Sequence, residues 1–147
     1  MILDRQLLLS NAQALTTGTI LSTNTIDLAS ARDIGIGDNL DLFIRVIAPL
    51  VGGTSVQFAY VTSANADLSS PNVIVQSPPV PAASLTAGSE WLRVRVPALS
   101  DTATRLRYIG VQYVINGTFT AGTVTAGLVL DREGLASYPS GLNTAGF

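Results

Sequence analysis

The feature that most constrains this chain of 147 residues is alternation. In Leu40-Asp41-Leu42-Phe43-Ile44-Arg45-Val46-Ile47, the side chains of Leu42, Ile44 and Val46 fall on one side and Asp41 and Arg45 on the other. A period of two is the spacing of a β-strand, whose successive side chains point to opposite faces. Ser55 to Thr62 repeats it, with Val56, Phe58 and Tyr60 on one face. Trp91 to Val96 repeats it again, placing Leu92, Val94 and Val96 opposite Trp91, Arg93 and Arg95. Thr19 to Leu28 is rich in Thr and Ile, and Asn72 to Gln76 is a shorter run. Thr104 to Ile115 is the longest. Its centre, Tyr108 to Ile115, is apolar on both faces, as a central strand covered on both sides would be. Thr123 to Leu130 closes the set, with Val124, Ala126, Leu128 and Leu130 on one face.

Turn residues separate these runs. Asp38-Asn39 precedes the Leu40 strand, and Pro49 with Gly52-Gly53 ends it. Ser77-Pro78-Pro79-Val80-Pro81 cannot pair inside a sheet and is expected to cross an edge or the surface. Asn116-Gly117 is read as a tight hairpin turn, with positive φ at both positions, leading into Thr118-Phe119-Thr120. The sum is about eight short antiparallel strands, which predicts an all-β fold, a jelly-roll type β-sandwich. The stretch from Ile2 to Leu15 fits either a helix or an extended segment, because Leu3, Leu7, Ala12 and Leu15 sit near helical spacing while Ser10 and Asn11 interrupt it. We expect one domain over 1–147, with an N-terminal arm at 1–18 and an irregular tail at 131–147.

The residue inventory narrows the chemistry. The chain has no histidine, cysteine or lysine, and its only glutamates are Glu90 and Glu133. Zinc-type sites, Cys–His and Ser–His pairs and Schiff-base lysines are therefore excluded. No enzyme activity, cofactor or metal is expected. Gly35-Ile36-Gly37 lacks the third glycine and the following helix of a dinucleotide site. Asp38, Asn39 and Asp41 do not have EF-hand spacing and read as a turn. Asp131 and Glu133 flank Arg132 after the last strand, as in a solvated turn rather than a glycosidase pair. Asn116-Gly117-Thr118 matches a glycosylation sequon, but the turn accounts for it.

Charged residues make up 12% of the chain, against roughly 25% in an ordinary soluble domain. So low a charge points to a surface partly covered by a partner. All eight cations are arginine, with no lysine stripe to follow phosphates, so no nucleic-acid partner is expected. No apolar run approaches the ~20 residues of a membrane helix. Met1-Ile2-Leu3-Asp4-Arg5-Gln6 lacks the basic start of a signal peptide. Arg93 with Arg95, and Arg105 with Arg107, stand two residues apart and would share strand faces, the first pair with Trp91. Arginine and tryptophan are enriched at protein interfaces, so these five residues are the interface candidates.

Longer strings carry a resemblance. Ser22-Thr23-Asn24-Thr25-Ile26-Asp27-Leu28, then Ala31-Arg32-Asp33-Ile34-Gly35, Gly37 and Leu40, with Gly117 to Ala126 and on through Leu130-Asp131, resemble the small capsid cement, or decoration, proteins of bacteriophages. That family is typified by the jelly-roll cement protein of a Bordetella short-tailed phage. The likeness spans residues 1 to about 139 and is weakest at 63–89. It implies a jelly roll that self-associates as dimers near the two-fold positions of the shell; the low charge and arginine-only cations lead us to expect a homodimer first and a trimer second. It also implies attachment to the major capsid protein on the outside of a tailed-phage head, after synthesis in the bacterial host cytoplasm. It supplies no catalytic residues. The alternative from another class is a carbohydrate-binding jelly roll, a viral adhesin or lectin.

Overall fold

The computed structural model describes residues 4–31, 40–99, 101 and 103–130. Among them are ten strands: β1 (Leu8–Ala14), β2 (Thr17–Leu21), β3 (Ile26–Asp27), β4 (Leu40–Val51), β5 (Ser55–Ser63), β6 (Asn72–Gln76), β7 (Val80–Pro81), β8 (Glu90–Arg95), β9 (Tyr108–Thr118) and β10 (Ala121–Leu130). They form two antiparallel sheets packed as a β-sandwich, as the alternation predicts. The first sheet has the order β1-β10-β4-β8 and the second β2-β9-β5-β6, with β3 also on β9 and β7 on β5. The pairings nest: β1 with β10, β2 with β9, β4 with β8, β5 with β6.

The core lies between the sheets. The first contributes Leu42, Ile44, Val46, Val124, Ala126 and Leu128; the second contributes Val56, Phe58, Tyr60, Ile109, Val111 and Tyr113. Each large apolar side chain buried here is worth about 1.5–3 kcal/mol. Phe58 and Tyr113 meet edge to face, with ring centroids 6.0 Å apart. The Tyr113 hydroxyl lies 2.8 Å from Ser10 Oγ, which itself donates to Gln13 Oε1 at 2.6 Å, so the phenol is the donor. Gln13 Nε2 passes the chain on to the Leu21 carbonyl at 2.8 Å. This relay satisfies buried hydroxyls that would otherwise be costly, and it ties β1 in one sheet to β2 and β9 in the other. Burial pushes the Tyr113 phenol well above its ordinary pKa.

A second apolar cluster sits on the outer face of the second sheet. Ala59 and Val61 of β5 are covered by Leu68, from the connection between β5 and β6. Leu68 reaches them with φ at 58°, held by Ser63 Oγ donating to the Ser69 carbonyl and by Ser69 N–H donating to Asp67. A Cβ at Gly110 would run into Leu68 and stand 2.9 Å from Ser22 Oγ, so glycine is what lets the loop lie flat on β9.

Several expectations need correction. Of the two readings for 2–15, the extended one holds where the residues are described and the helical one does not: Arg5–Leu7 is a 3-10 turn capped by Asp4, and Leu8–Ala14 is β1, which pairs into the sheet as an edge strand. The near-helical spacing reflects an irregular pairing, which slips between Ser10 and Gln13. Ala12 there takes φ of 48° and gives its N–H to Thr125 Oγ1 at 3.0 Å. Pro49 does not end β4. It falls where β4 holds one more residue than β10 between Ala48 and Val51, so its missing N–H costs no regular ladder bond. The strand expected over 104–115 starts only at Tyr108, because the Thr104 and Arg105 N–H groups turn back to bond the Asp101 carbonyl.

Asn116-Gly117 is not the hairpin turn. Gly117 has φ of 86°, but Asn116 is not left-handed, and both belong to β9. Pairing with β2 slips there, from Gly18–Ile115 to Thr17–Thr118, which makes Gly117 part of a bulge. The true reversal is Phe119-Thr120, and it carries the chain to the other sheet rather than into a hairpin. The expected Asp38-Asn39 turn, Gly35-Ile36-Gly37, Asp131 to Glu133 and the 131–147 tail lie outside the described residues.

Candidate interaction surface

The five interface candidates do not form one patch on a strand face. In β8, Val94 stands opposite Leu42 and Trp91 opposite Ile44, three residues against two. A bulge therefore intervenes, and Trp91 turns to the core side, where it packs partly buried against the core. Its Nε1 donates to Ser89 Oγ at 3.0 Å. Arg95 pairs with Asp41 on the opposite, outer face, so Trp91 and Arg95 do not share a face as strict alternation implied. The side chain of Arg93 lies outside the described residues.

Arg105 and Arg107 belong to the connection into β9 rather than to a strand. Arg105 N–H bonds to the Asp101 carbonyl at 3.0 Å. Arg107 is engaged within the chain: Nε and Nη2 donate to the two Asp27 carboxylate oxygens, both at 2.7 Å. Its guanidinium also lies 5.1 Å from the centroid of the Tyr108 ring. The hydrogen bonds from Arg107, with a further one from Ala29 N–H, hold the Asp27 carboxyl down at about 2. This planar fork locks β3 to the start of β9.

What these residues share is an end of the molecule. Arg95, Asp101, Arg105, Arg107, Asp27 and Asp41 all lie where β8 ends, β9 begins and β4 begins. Asp67, in the β5–β6 connection, is at that end too.

The opposite end has no charge among its connections. It is built from Leu15-Thr16 between β1 and β2, Gly52-Gly53-Thr54 between β4 and β5, Ala82 to Ser89 between β7 and β8, and Phe119-Thr120 between β9 and β10. Backbone bonds sew them together: Phe119 N–H to the Thr16 carbonyl at 2.7 Å, Thr120 N–H to Val51 at 2.8 Å, Thr54 N–H to Asn116 at 2.9 Å and Ala82 N–H to Thr54 at 2.9 Å. Phe119 is buried beneath them, and a Cβ on Gly53 would stand 2.6 Å from its ring. Along the outer face of β4, Ile47 and Val51 are 47% and 54% exposed, with exposed Pro49 between them, and this apolar strip runs into the uncharged end. Arg45, in the middle of β4, and Glu90, the first residue of β8, are the charges on that flank, and a Cβ on Gly88 would stand 3.7 Å from Arg45 Nη2.

Sequence reasoning followed the arginines and missed this end. The signal was present as four turn segments without Asp, Glu, Lys or Arg, but it becomes a surface only once the register brings them together. Among the described residues, no group of three carboxylates is placed to hold a metal ion, and no helix is long and apolar enough to cross a membrane. In comparison with known proteins, the Bbp16 family model matches residues 9–128, from within β1 to within β10. No curated protein matches the chain.

Proposed function

The chain belongs to the Bbp16 family of phage structural proteins, named after a Bordetella phage protein, and on that basis we propose that it is a capsid cement protein. It binds the outside of an assembled tailed-phage head and bridges neighbouring subunits of the major capsid protein. The family match is the observation that carries this reading. The nested strand pairing supports the jelly-roll form, since wrapping an antiparallel ribbon of four strand pairs around a core generates the orders β1-β10-β4-β8 and β2-β9-β5-β6. The mechanism is mechanical. Attachment to two subunits at once gives high effective affinity from modest contacts, and binding only the assembled lattice stabilises it by mass action.

The protein acts as a homodimer, with a trimer the second choice; it is not an enzyme, and it needs no metal or cofactor. A glycan-binding role would call for an exposed aromatic platform. Among the described residues, Trp91 packs against the core, Tyr60 and Tyr113 are buried, and Tyr108 lies under Arg107, which weighs against the lectin alternative. The test is compositional: purified particles should contain this protein at high stoichiometry beside a larger shell protein. Its absence from particles, together with specific signals on a glycan array, would replace the cement reading with the lectin one.

A further inference from the structure

We propose that the irregularities along the outer strands are a guard that stops copies of this protein from adding to one another sheet edge to sheet edge. This does not depend on the cement reading. Among the described residues, the edge strands longer than two residues are β1 and β8 in the first sheet and β2 and β6 in the second. An edge presents a row of backbone N–H and C=O groups that another strand could pair with. Charged side chains, lysine above all, are a common protection. The chain has no lysine, and β1, β2 and β6 carry no charged residue. Only β8 does, in Glu90, Arg93 and Arg95.

What these edges have instead is broken register. Between the pairs Tyr60–Val75 and Val61–Val73, β6 holds one residue more than β5. β1 holds one more than β10 between Leu8 and Ser10, and another between Ser10 and Gln13, where Ala12 takes φ of 48°. β8 holds one more than β4 between Trp91 and Val94. β2 lies on the Asn116-Gly117 bulge of β9 and has its own Gly18 at φ of 72°. By contrast β5 and β9, inside the second sheet, pair without a slip from Ser55 to Ser63. Inside the first sheet, β4 and β10 slip only towards Val51 and are regular from Val124 to Leu130. A bulge bends its strand and turns backbone groups out of line, so a further strand finds no continuous ladder to join.

The clearest case is β6, where the extra residue is Ile74. Val75 stands opposite Tyr60 on the core side, and Val73 stands opposite Val61 on the outer side. Ile74 packs against the core as Val75 does, so alternation is broken between them. Val73 is 48% exposed. Taking Ile74 out would restore the period of two and leave both valines facing as they do now. The product would be a straight, uncharged edge with an exposed valine, the kind of edge that pairs with another copy.

The test deletes Ile74 and compares that variant with the parent and with Ile74→Ala, which trims the side chain but keeps the bulge. Melting curves establish folding, sedimentation over a range of concentrations gives size, and hydrogen exchange reports on the β6 amides. The deletion should shift sedimentation to a species larger than the parent's, growing with concentration, with slowed exchange along β6. Ile74→Ala should sediment like the parent. Adding Val73→Lys to the deletion should return it to the parent's size, because like charges would then meet across the join. A folded deletion variant that sediments like the parent would overturn the proposal. So would equal association by Ile74→Ala, since lost packing rather than a straightened edge would be the cause. Should the Ile74 deletion not fold, deletion of Ala12 puts the same question to β1 with the same expectations. It straightens β1 from Ser10 to Ala14 and keeps Ser10 and Gln13 opposite Ala126 and Val124. If neither deletion folds, the bulges are requirements of the fold itself and the guard is refuted.

Discussion

Two residues are held by contacts that a small change would expose. Gly53 sits against the Phe119 ring, where a Cβ would come within 2.6 Å. Phe119 is buried and has little room to move, so Gly53→Ala should destabilise the fold by about 1–3 kcal/mol, read as a lower denaturation midpoint. Parental stability in that variant would mean the plug is looser than described. Asp27 titrates low because the Arg107 fork bonds its charged form. Its contribution to stability is therefore complete above the ordinary aspartate range near pH ~4 and is lost as pH falls through about 2. Both partners are exposed, so the effect on folding is small, and the carboxyl titration itself is the better observable. NMR should place the Asp27 midpoint near 2 in the parent and return it towards the ordinary value in Arg107→Ala. An ordinary midpoint in the parent would deny the ion pair.

At the scale of strands and loops, legibility depended on whether alternation ran without interruption. β5 and β6 came out close to their expected bounds because Val56, Phe58 and Tyr60 keep strict period two and proline closes the second run. β8 was found, but a bulge swapped the facing of Trp91, and a bulge leaves no mark in composition. Asn116-Gly117 has the composition of a hairpin turn, yet β9 and β10 belong to different sheets, so tertiary wrapping overrode the local signal. The β5–β6 loop was not legible as a cover at all: Leu68 looks like any loop leucine until β9 presents Gly110 beneath it. Leu68→Ala should cost about 2–3 kcal/mol, at the low end for a buried leucine because its cluster is small. Protease cleavage within 64–71 should rise with it. Unchanged stability would show that the loop does not clamp the sheet.

For the molecule as a whole, the fold class was legible from strand alternation, and the family match carries the phage assignment. The candidate surface was not legible, because segregation of charge to one end is a property of the register rather than of any segment. On the proposed cement reading the protein is a part that bridges the joints of a lattice. Such a part contributes only while both attachments hold, so removing it should spare shell assembly and weaken the filled head. The most direct measurement is the temperature at which DNA-filled particles release their DNA, taken for complete particles, particles stripped of this protein, and stripped particles with purified protein added back. The cement account predicts a lower release temperature on stripping and its recovery on add-back; equal release temperatures in all three would contradict it.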